Sequence, residues 1–521
     1  MRRELTKYLR LPTMSRMETG AVLSRRPAVV GGLLLILMLL TGLGWAVSSP
    51  VESSPDDNYH LGSIWCPRPA GESCQTSVVD GDPVVRVPIA VADESMRCYV
   101  LQSNKSAGCA LGYDDSHMVW SKRFDNGAYP IGYYHFHHLF VGKDVQTSVL
   151  VMRGVNVLIA VALLGTIGFC APRQLRRPFI GAIVASWVPM GVYFIASNNP
   201  SSWAVSGLMA YSAATFMAPQ QKGSHRIALV ICAVIGAVMC LTSRYDAAFF
   251  LLVVGLALLF AVPWKRGGWI GLTALAGVAL LGVGTFMASS QVSKVAYFLR
   301  VFEASDPAKS ADKQPFFEKL LVGLETAPKY LGGFWGHTWT PGWHDVPLGA
   351  RAPYVLTIMA AGAFVAVGLR RGGWRKWTAL AIIAGSMVLL PALFYANGAM
   401  DTIELYQARY IFPLLAPTFF LMLAVDQDEG AWFTVPQAVW VTVFISLCQT
   451  ITLHTLLLRF VQGAQERWEL DLNKHIEWWW SAPVSPMMVW FLTTCFATAT
   501  LGTAIAMLTR TAEKHEATQH S

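Results

Sequence analysis

Runs of about 17–25 nearly uncharged residues recur along the whole chain, each long enough to cross a ~30 Å hydrocarbon core as a helix. Apolar residues cluster in these runs and do not alternate with polar ones, so the pattern predicts helices and not strands. Twelve runs stand out: Ala28–Val47, Ser148–Cys170, Phe179–Ala196, Ser202–Ala218, Ile227–Leu241, Asp246–Val262, Trp269–Ser289, Ala352–Leu369, Thr378–Ala396, Tyr410–Val425, Thr434–Leu458 and Pro486–Leu508. The expected fold is an all-α polytopic membrane protein of about twelve transmembrane helices. Ile227–Leu241 is the shortest run. If it and the next formed one re-entrant hairpin, the count would drop without changing which side the ends face.

Polar residues collect in three loops, 48–147, 291–351 and 459–485, within a single body spanning 28–508 and flanked by tails 1–27 and 509–521. The loops on the other side are short and carry the positive charge: Arg25 and Arg26, Arg173, Arg176 and Arg177, Lys222 and Arg226, Lys265 and Arg266, then Arg370, Arg371, Arg375 and Lys376. Lysine and arginine near span ends resist translocation, so this side is expected to be cytoplasmic, with both termini on it and the long loops outside a plasma membrane. Asp426, Asp428 and Glu429 break the pattern, but acidic residues weigh little in that rule. Arg25-Arg26 before the first run and Ala46-Val47-Ser48-Ser49 after it resemble a cleaved leader. The length of the run argues for a retained helix, and Met14 or Met17 offers an alternative start.

Composition agrees with a membrane body, being 54% hydrophobic and 14% charged. The net charge of +8 is thereby a topology signal and not a sign of a nucleic-acid partner. No phosphate-binding glycine loop of the G-x-x-x-x-G-K-[ST] kind is present, and no internal repeat marks a transporter.

Four of the nine cysteines, Cys66, Cys74, Cys98 and Cys109, lie in the first loop. In an oxidising compartment they read as disulfides, and the short separations suggest Cys66–Cys74 and Cys98–Cys109, although four cysteines allow three connectivities. A metal site is the rival reading, without a C-x-x-C pair to favour it. His135-Phe136-His137-His138 reads as a membrane-proximal cluster ahead of a metal set. The third loop ends in Trp478-Trp479-Trp480, which suits a helix lying in the headgroup layer or the mouth of a lipid path.

The residues most suggestive of chemistry follow the first helix. Pro55-Asp56-Asp57-Asn58-Tyr59-His60 sets two carboxylates and an imidazole beside the membrane surface. An acceptor hydroxyl attacking a glycosyl phosphate needs a general base, and a second carboxylate or a histidine can orient it or hold a metal. The same sequence also suits an ordinary turn. Ser243-Arg244-Tyr245 and Gln407-Ala408-Arg409-Tyr410 each place an arginine at the outer mouth of a helix, where it can grip a phosphate by paired hydrogen bonds or snorkel to headgroups.

The P-D-D-x-x-H segment, Asn199-Pro200-Ser201, the Gln-x-Arg-Tyr at 407–410, and Phe334-Trp335-Gly336-His337-Thr338 with the Pro341–Pro347 stretch together resemble the DUF2142 family of bacterial, often actinobacterial, membrane proteins. That family is similar in layout to the GT-C class of polyprenyl-phosphate-sugar-dependent glycosyltransferases. The resemblance implies a GT-C-like body with a first extracytoplasmic loop subdomain. It also implies Asp56 as base, Asp57 as its partner, His60 as a polar neighbour, and Arg409 with Arg244 as ligands of the donor phosphate. Tyr410, Gln407, Asn199 and His337 are the matching substrate contacts. Asp57 stands where the family has glutamate, which shortens the reach of the second carboxylate, and Ala408 where it has glycine. The expected activity is inverting transfer of a sugar from a polyprenyl-phosphate donor to an envelope glycan, lipid or protein acceptor. No cofactor is certain; the two adjacent carboxylates are also compatible with a divalent cation, Mg or Mn. A transporter or flippase, suggested by Pro189 and Pro391 within runs, and a non-catalytic envelope scaffold are the competing classes.

Overall fold

A computed structural model of the chain describes residues 27–92, 98–111, 114–264, 269–288, 315–348, 352–398, 400, 402–426, 432–464 and 469–509. Arg25, Arg26, Lys265, Arg266, Asp428, Glu429, both outer tails and residues 291–314 of the second loop lie outside the described residues. Helix α1 (Pro27–Ala46) leads into the first loop, which holds α2 (Asp57–Trp65), an antiparallel sheet of β1 (Thr76–Val79), β2 (Asp82–Pro88) and β3 (Met118–Ser121), and α3 (Gly132–His138). The body continues with α4 (Val145–Cys170), α5 (Arg173–Ala185), α6 (Pro189–Ile195), α7 (Ser201–Met217), α8 (Gly223–Ser243), α9 (Tyr245–Ala261) and α10 (Trp269–Met287). After α11 (Phe316–Glu325) in the second loop come α12 (Ala352–Gly368), α13 (Trp374–Ala396), α14 (Leu415–Ala424), α15 (Val435–Val461) and α16 (Pro486–Thr509).

Among the described residues, seven helices are long and apolar enough to cross a membrane: α1, α4, α8, α10, α13, α15 and α16. Helices α5 and α6, bent by 95° at a short break before Pro189, make an eighth if taken as one span. The count of twelve is therefore corrected to seven or eight. Helices α9, α12 and the stretch Phe412–Ala424 are apolar but shorter. At 17 residues, α7 rises only about 25 Å. It is buried on nearly every side and carries Ser201, Ser202, Ser206 and Ser212 inward. An apolar run reads alike whether lipid or neighbouring helices surround it, which is why hydropathy overcounted. Helices α7 and α8 cross at their glycines: a Cβ on Gly236 would meet the Gly207 carbonyl oxygen at 2.5 Å and the Tyr211 amide nitrogen at 2.7 Å.

The body is all helical, while the first loop carries the sheet. In β2, Val85 and Val87 lie buried on one face with Arg86 exposed on the other, while Val84 on the Arg86 face is buried too, so the strand is covered on both sides at that point. Val85 faces Thr76 of β1 and Ser121 of β3. Disulfides join Cys66 to Cys74 and Cys98 to Cys109. The third loop departs from expectation, because residues 469–485 form no helix. Trp478 and Trp480 are buried against the end of α15, and Trp480 donates from its indole to the Val47 carbonyl at 2.7 Å. The tryptophans thus bolt an extended strap to the end of α1. The same end is clasped by Arg459, fully buried, which donates to Asp345 at 2.6 Å, to the Lys105 carbonyl at 2.6 Å and to the Tyr99 carbonyl. One guanidinium thereby ties all three loops together.

Candidate functional site

The site forms where the chain leaves α1. Ser54 and Pro55 turn the backbone, and Asp56 takes the left-handed conformation (φ 61°, ψ 16°) immediately before α2. Aspartate and asparagine tolerate this region better than most residues, and glycine suits it without strain. Because of this turn the two neighbouring carboxylates diverge. Asp56 makes no capping bond to α2; its side chain, 40% exposed, accepts from Arg409 at 2.6 Å and lies 3.7 Å from Arg123. Asp57 points inward and is fully buried, 3.9 Å from Arg153, with Oδ2 accepting from the Ser54 amide at 3.4 Å.

Their proton affinities diverge as well. Burial raises the Asp56 pKa, but the charge and hydrogen bond of Arg409, aided by Arg123, outweigh it and hold the carboxyl below its usual range. At Asp57 burial outweighs the more distant Arg153, and its pKa is raised. Arg153 is occupied elsewhere, donating to the Ala46, Ser49 and Pro50 carbonyls at the end of α1. Asp57 thus belongs to the buried support beneath the turn, and Asp56 is the carboxylate that faces solvent.

Arg409 is fixed from several directions. It donates to Gln407 and to the Pro55 carbonyl, at 2.5 and 3.2 Å, and its guanidinium lies 5.1 Å from the centre of the Tyr410 ring. Asn199 donates to the same Pro55 carbonyl at 3.0 Å, so the 197–201 turn ahead of α7 helps hold the Asp56 backbone. Arg244, at the junction of α8 and α9, also lies over the Tyr410 ring at 5.6 Å and over Tyr129 at 5.8 Å. Its fork is taken by Asp246 at 2.9 and 2.6 Å, with Ser201 at 3.4 Å. His60 is buried among Tyr59, Tyr129 and Tyr134, with Nδ1 3.0 Å from the Tyr134 hydroxyl; burial pushes its pKa down to about 3, so the ring is neutral.

The structure thus brings Asp56, Asp57, His60, Asn199, Arg244, Gln407, Arg409 and Tyr410 to one end of the bundle. His337 lies apart from these contacts, exposed and packed on Tyr354. The histidine of that loop which reaches the site is His344, 3.4 Å from Gln407. Two residues that sequence reasoning passed over also matter. Arg153 sits within an apolar run, where an ionisable residue is itself a signal. Arg123 follows β3 in a polar loop, where an arginine carries no such mark; two residues on, Asp125 anchors that loop by accepting from Tyr59 and from the amides of Gly127 and Tyr129.

The side chains do not fit a divalent cation at the Asp-Asp pair, since one carboxylate is already bridged by two arginines and the other faces Arg153. Among the described residues no group of three or more His, Cys, Asp or Glu side chains converges as metal ligands would. His137 instead contacts the Tyr133 carbonyl and Asn156, both at 2.9 Å.

Below this end lies an apolar cavity of about 100 Å³, lined by Met38, Val157, Val192, Val205, Met209 and Phe412 among others. Phe412 is three residues past Arg409, and Val205 is one helical turn past Ser201, so two stretches that carry cluster residues also line the cavity.

Neither curated proteins nor solved structures give a match to this chain. The family model described as predicted membrane protein (DUF2142) matches residues 39–418, a stretch holding every residue of the cluster from Asp56 to Tyr410. Since that match spans well over half of its length, the chain belongs to the DUF2142 family of predicted membrane proteins.

Proposed function

We propose that the protein is a membrane glycosyltransferase that moves a sugar from a polyprenyl-phosphate donor to a cell-envelope acceptor, with the loop-bearing end outside the cell and both termini in the cytoplasm. The observation that carries this reading is the half-exposed Asp56 carboxylate set against Arg409. In this scheme Asp56 takes the proton of the acceptor hydroxyl as its oxygen bonds to the anomeric carbon. The bond from that carbon to the phosphate oxygen breaks, and its electron pair leaves with the lipid phosphate, which Arg409 stabilises. Direct displacement inverts the sugar.

The test is sugar transfer by the purified protein in nanodiscs, supplied with a panel of polyprenyl-phosphate sugars. Wild type is expected to form product and Asp56→Asn to lose at least about a hundredfold in rate, the usual scale for removing a general base. Equal turnover by both would reject Asp56 as the base.

The 95° break between α5 and α6 favours a second reading, transport of a lipid-linked or small solute, because broken helices frame transporter sites. Transport predicts sensitivity to Pro189→Ala and indifference to Asp56→Asn, the reverse of the transferase pattern.

A further inference from the structure

We infer that Arg123 and Arg409 form a two-armed clamp for a phosphate group, and that the Asp56 carboxylate is its resident occupant, displaced when the phosphate binds. The inference rests on the reading of this cluster as the donor-phosphate site and adds to it a second binding arm and an order of events.

The geometry of the pair supplies the first argument. Asp56 places one carboxylate oxygen on each arm, Oδ2 at 2.6 Å from Arg409 and Oδ1 at 3.7 Å from Arg123. The two arms come from distant parts of the chain, one from the turn after β3 and the other from the stretch before α14. Only an anion standing between them satisfies both. The contact to Arg123 is loose, its Nη2 reaching Asn58 at 3.4 Å, while its buried Nε has no hydrogen-bond partner. A phosphate, with more oxygens than a carboxylate, can fill that vacant donor while keeping the contact to Arg409.

The second argument is that neither arm depends on Asp56 for its position. Arg409 is held by Gln407, by the Pro55 carbonyl and by the Tyr410 ring. Arg123 lies over the Tyr59 ring at 5.5 Å, and its amide donates to Ser121 at 3.0 Å. When Asp56 swings out, both guanidinium groups remain aimed at the same point. Asp56 itself is the freest member, with the most exposed side chain of the three.

The consequence is a binding-coupled base. Arg409 is what holds the Asp56 carboxyl below its usual range against burial. A phosphate that takes over Arg409 removes that restraint and leaves the carboxylate beside a new negative charge, so its proton affinity rises once the donor is seated. Asp56 therefore becomes an effective proton acceptor only in the loaded enzyme.

The experiment measures binding without turnover. Full-length protein in nanodiscs is titrated with farnesyl phosphate, with farnesol as the uncharged control and inorganic phosphate as the tail-free one. Asp56→Asn, which keeps the shape and tolerates the left-handed backbone, is expected to bind farnesyl phosphate about tenfold tighter than wild type, because the competing carboxylate is gone. Arg123→Gln, at a partly exposed position that leaves the fold intact, is expected to bind about tenfold more weakly. Equal or weaker binding by Asp56→Asn overturns the proposal, as does unchanged binding by Arg123→Gln. Inorganic phosphate binding as tightly as farnesyl phosphate would support the clamp and assign it to free phosphate. The expected binding shifts without sugar transfer from any donor would leave the clamp standing and reject the transferase.

Discussion

Asp56 and Asp57 are adjacent in sequence and opposite in circumstance, and under the proposed function the difference separates a base from its support. Asp57 in its fully buried place is expected to lose about 1–3 kcal/mol of stability on change to Asn, through poorer satisfaction of buried groups around Arg153. Asp56→Asn should leave the melting temperature near wild type while removing transfer, so melting and rate measured on both variants separate the two roles. Histidines give a pH signature at the same scale. Burial holds His60 down to about 3 and His137 down to about 4, both below an unfolded value of about 6.5. Between those limits the unfolded chain binds protons that the folded one refuses. Stability is thus full above about pH 6.5 and falls as the pH drops toward the folded values, by about 2 kcal/mol per histidine at pH 5. Melting midpoints at pH 7 and pH 5 should show the drop in wild type and a smaller one in His60→Gln; an equal drop in both would exclude His60 as a source.

At the scale of elements, the α7–α8 crossing sets where Arg244 ends up, since Arg244 closes α8 and reaches back to Ser201 at the start of α7. Gly236→Ala would push its new methyl into backbone atoms of α7, and two packed helices cannot yield there without separating. A loss of about 1–3 kcal/mol is expected, with Gly31→Ala, which lies inside α1 and meets nothing within 4 Å, as the control that holds or gains stability through helix propensity. Thermal melting of the two variants checks it, and equal midpoints would show that the crossing has slack. The helices themselves were legible in the apolar runs because burial in lipid and burial in protein both demand apolar side chains. For the same reason the runs could not tell α7, wrapped by its neighbours, from a lipid-facing span such as α10, of which only 11% is buried. The sheet of the first loop went unread because its strands are short and one of them, β1, is exposed along its whole length. The tryptophan strap was misjudged because Trp478 and Trp480 pack inside the protein against the end of α15, a tertiary fact that no local pattern encodes.

For the whole molecule, the cluster at one end joins residues from the first loop, the turn before α7, the α8–α9 junction and the stretch after α13. The motif-bearing members were legible because they sit at helix ends, where a charge is conspicuous. Arg123 and His344 were not, because each is carried in by a loop whose path depends on Asp125 in one case and on the Asp345–Arg459 clasp in the other. Which end faces outward is proposed from the lysines and arginines, and the cysteines offer an independent check. Cys66, Cys74, Cys98 and Cys109 all lie at the loop-bearing end and are paired, whereas Cys170, Cys232, Cys240, Cys448 and Cys495 are free. Disulfides persist in oxidising surroundings and are rare in the cytoplasm. Protein taken from membranes, alkylated without reduction and digested, should therefore yield the 66–74 and 98–109 peptides as linked pairs by mass spectrometry. Alkylated thiols at those four positions would place the loop-bearing end in the cytoplasm, and a lipid-phosphate sugar presented on the outer face could then no longer be the donor.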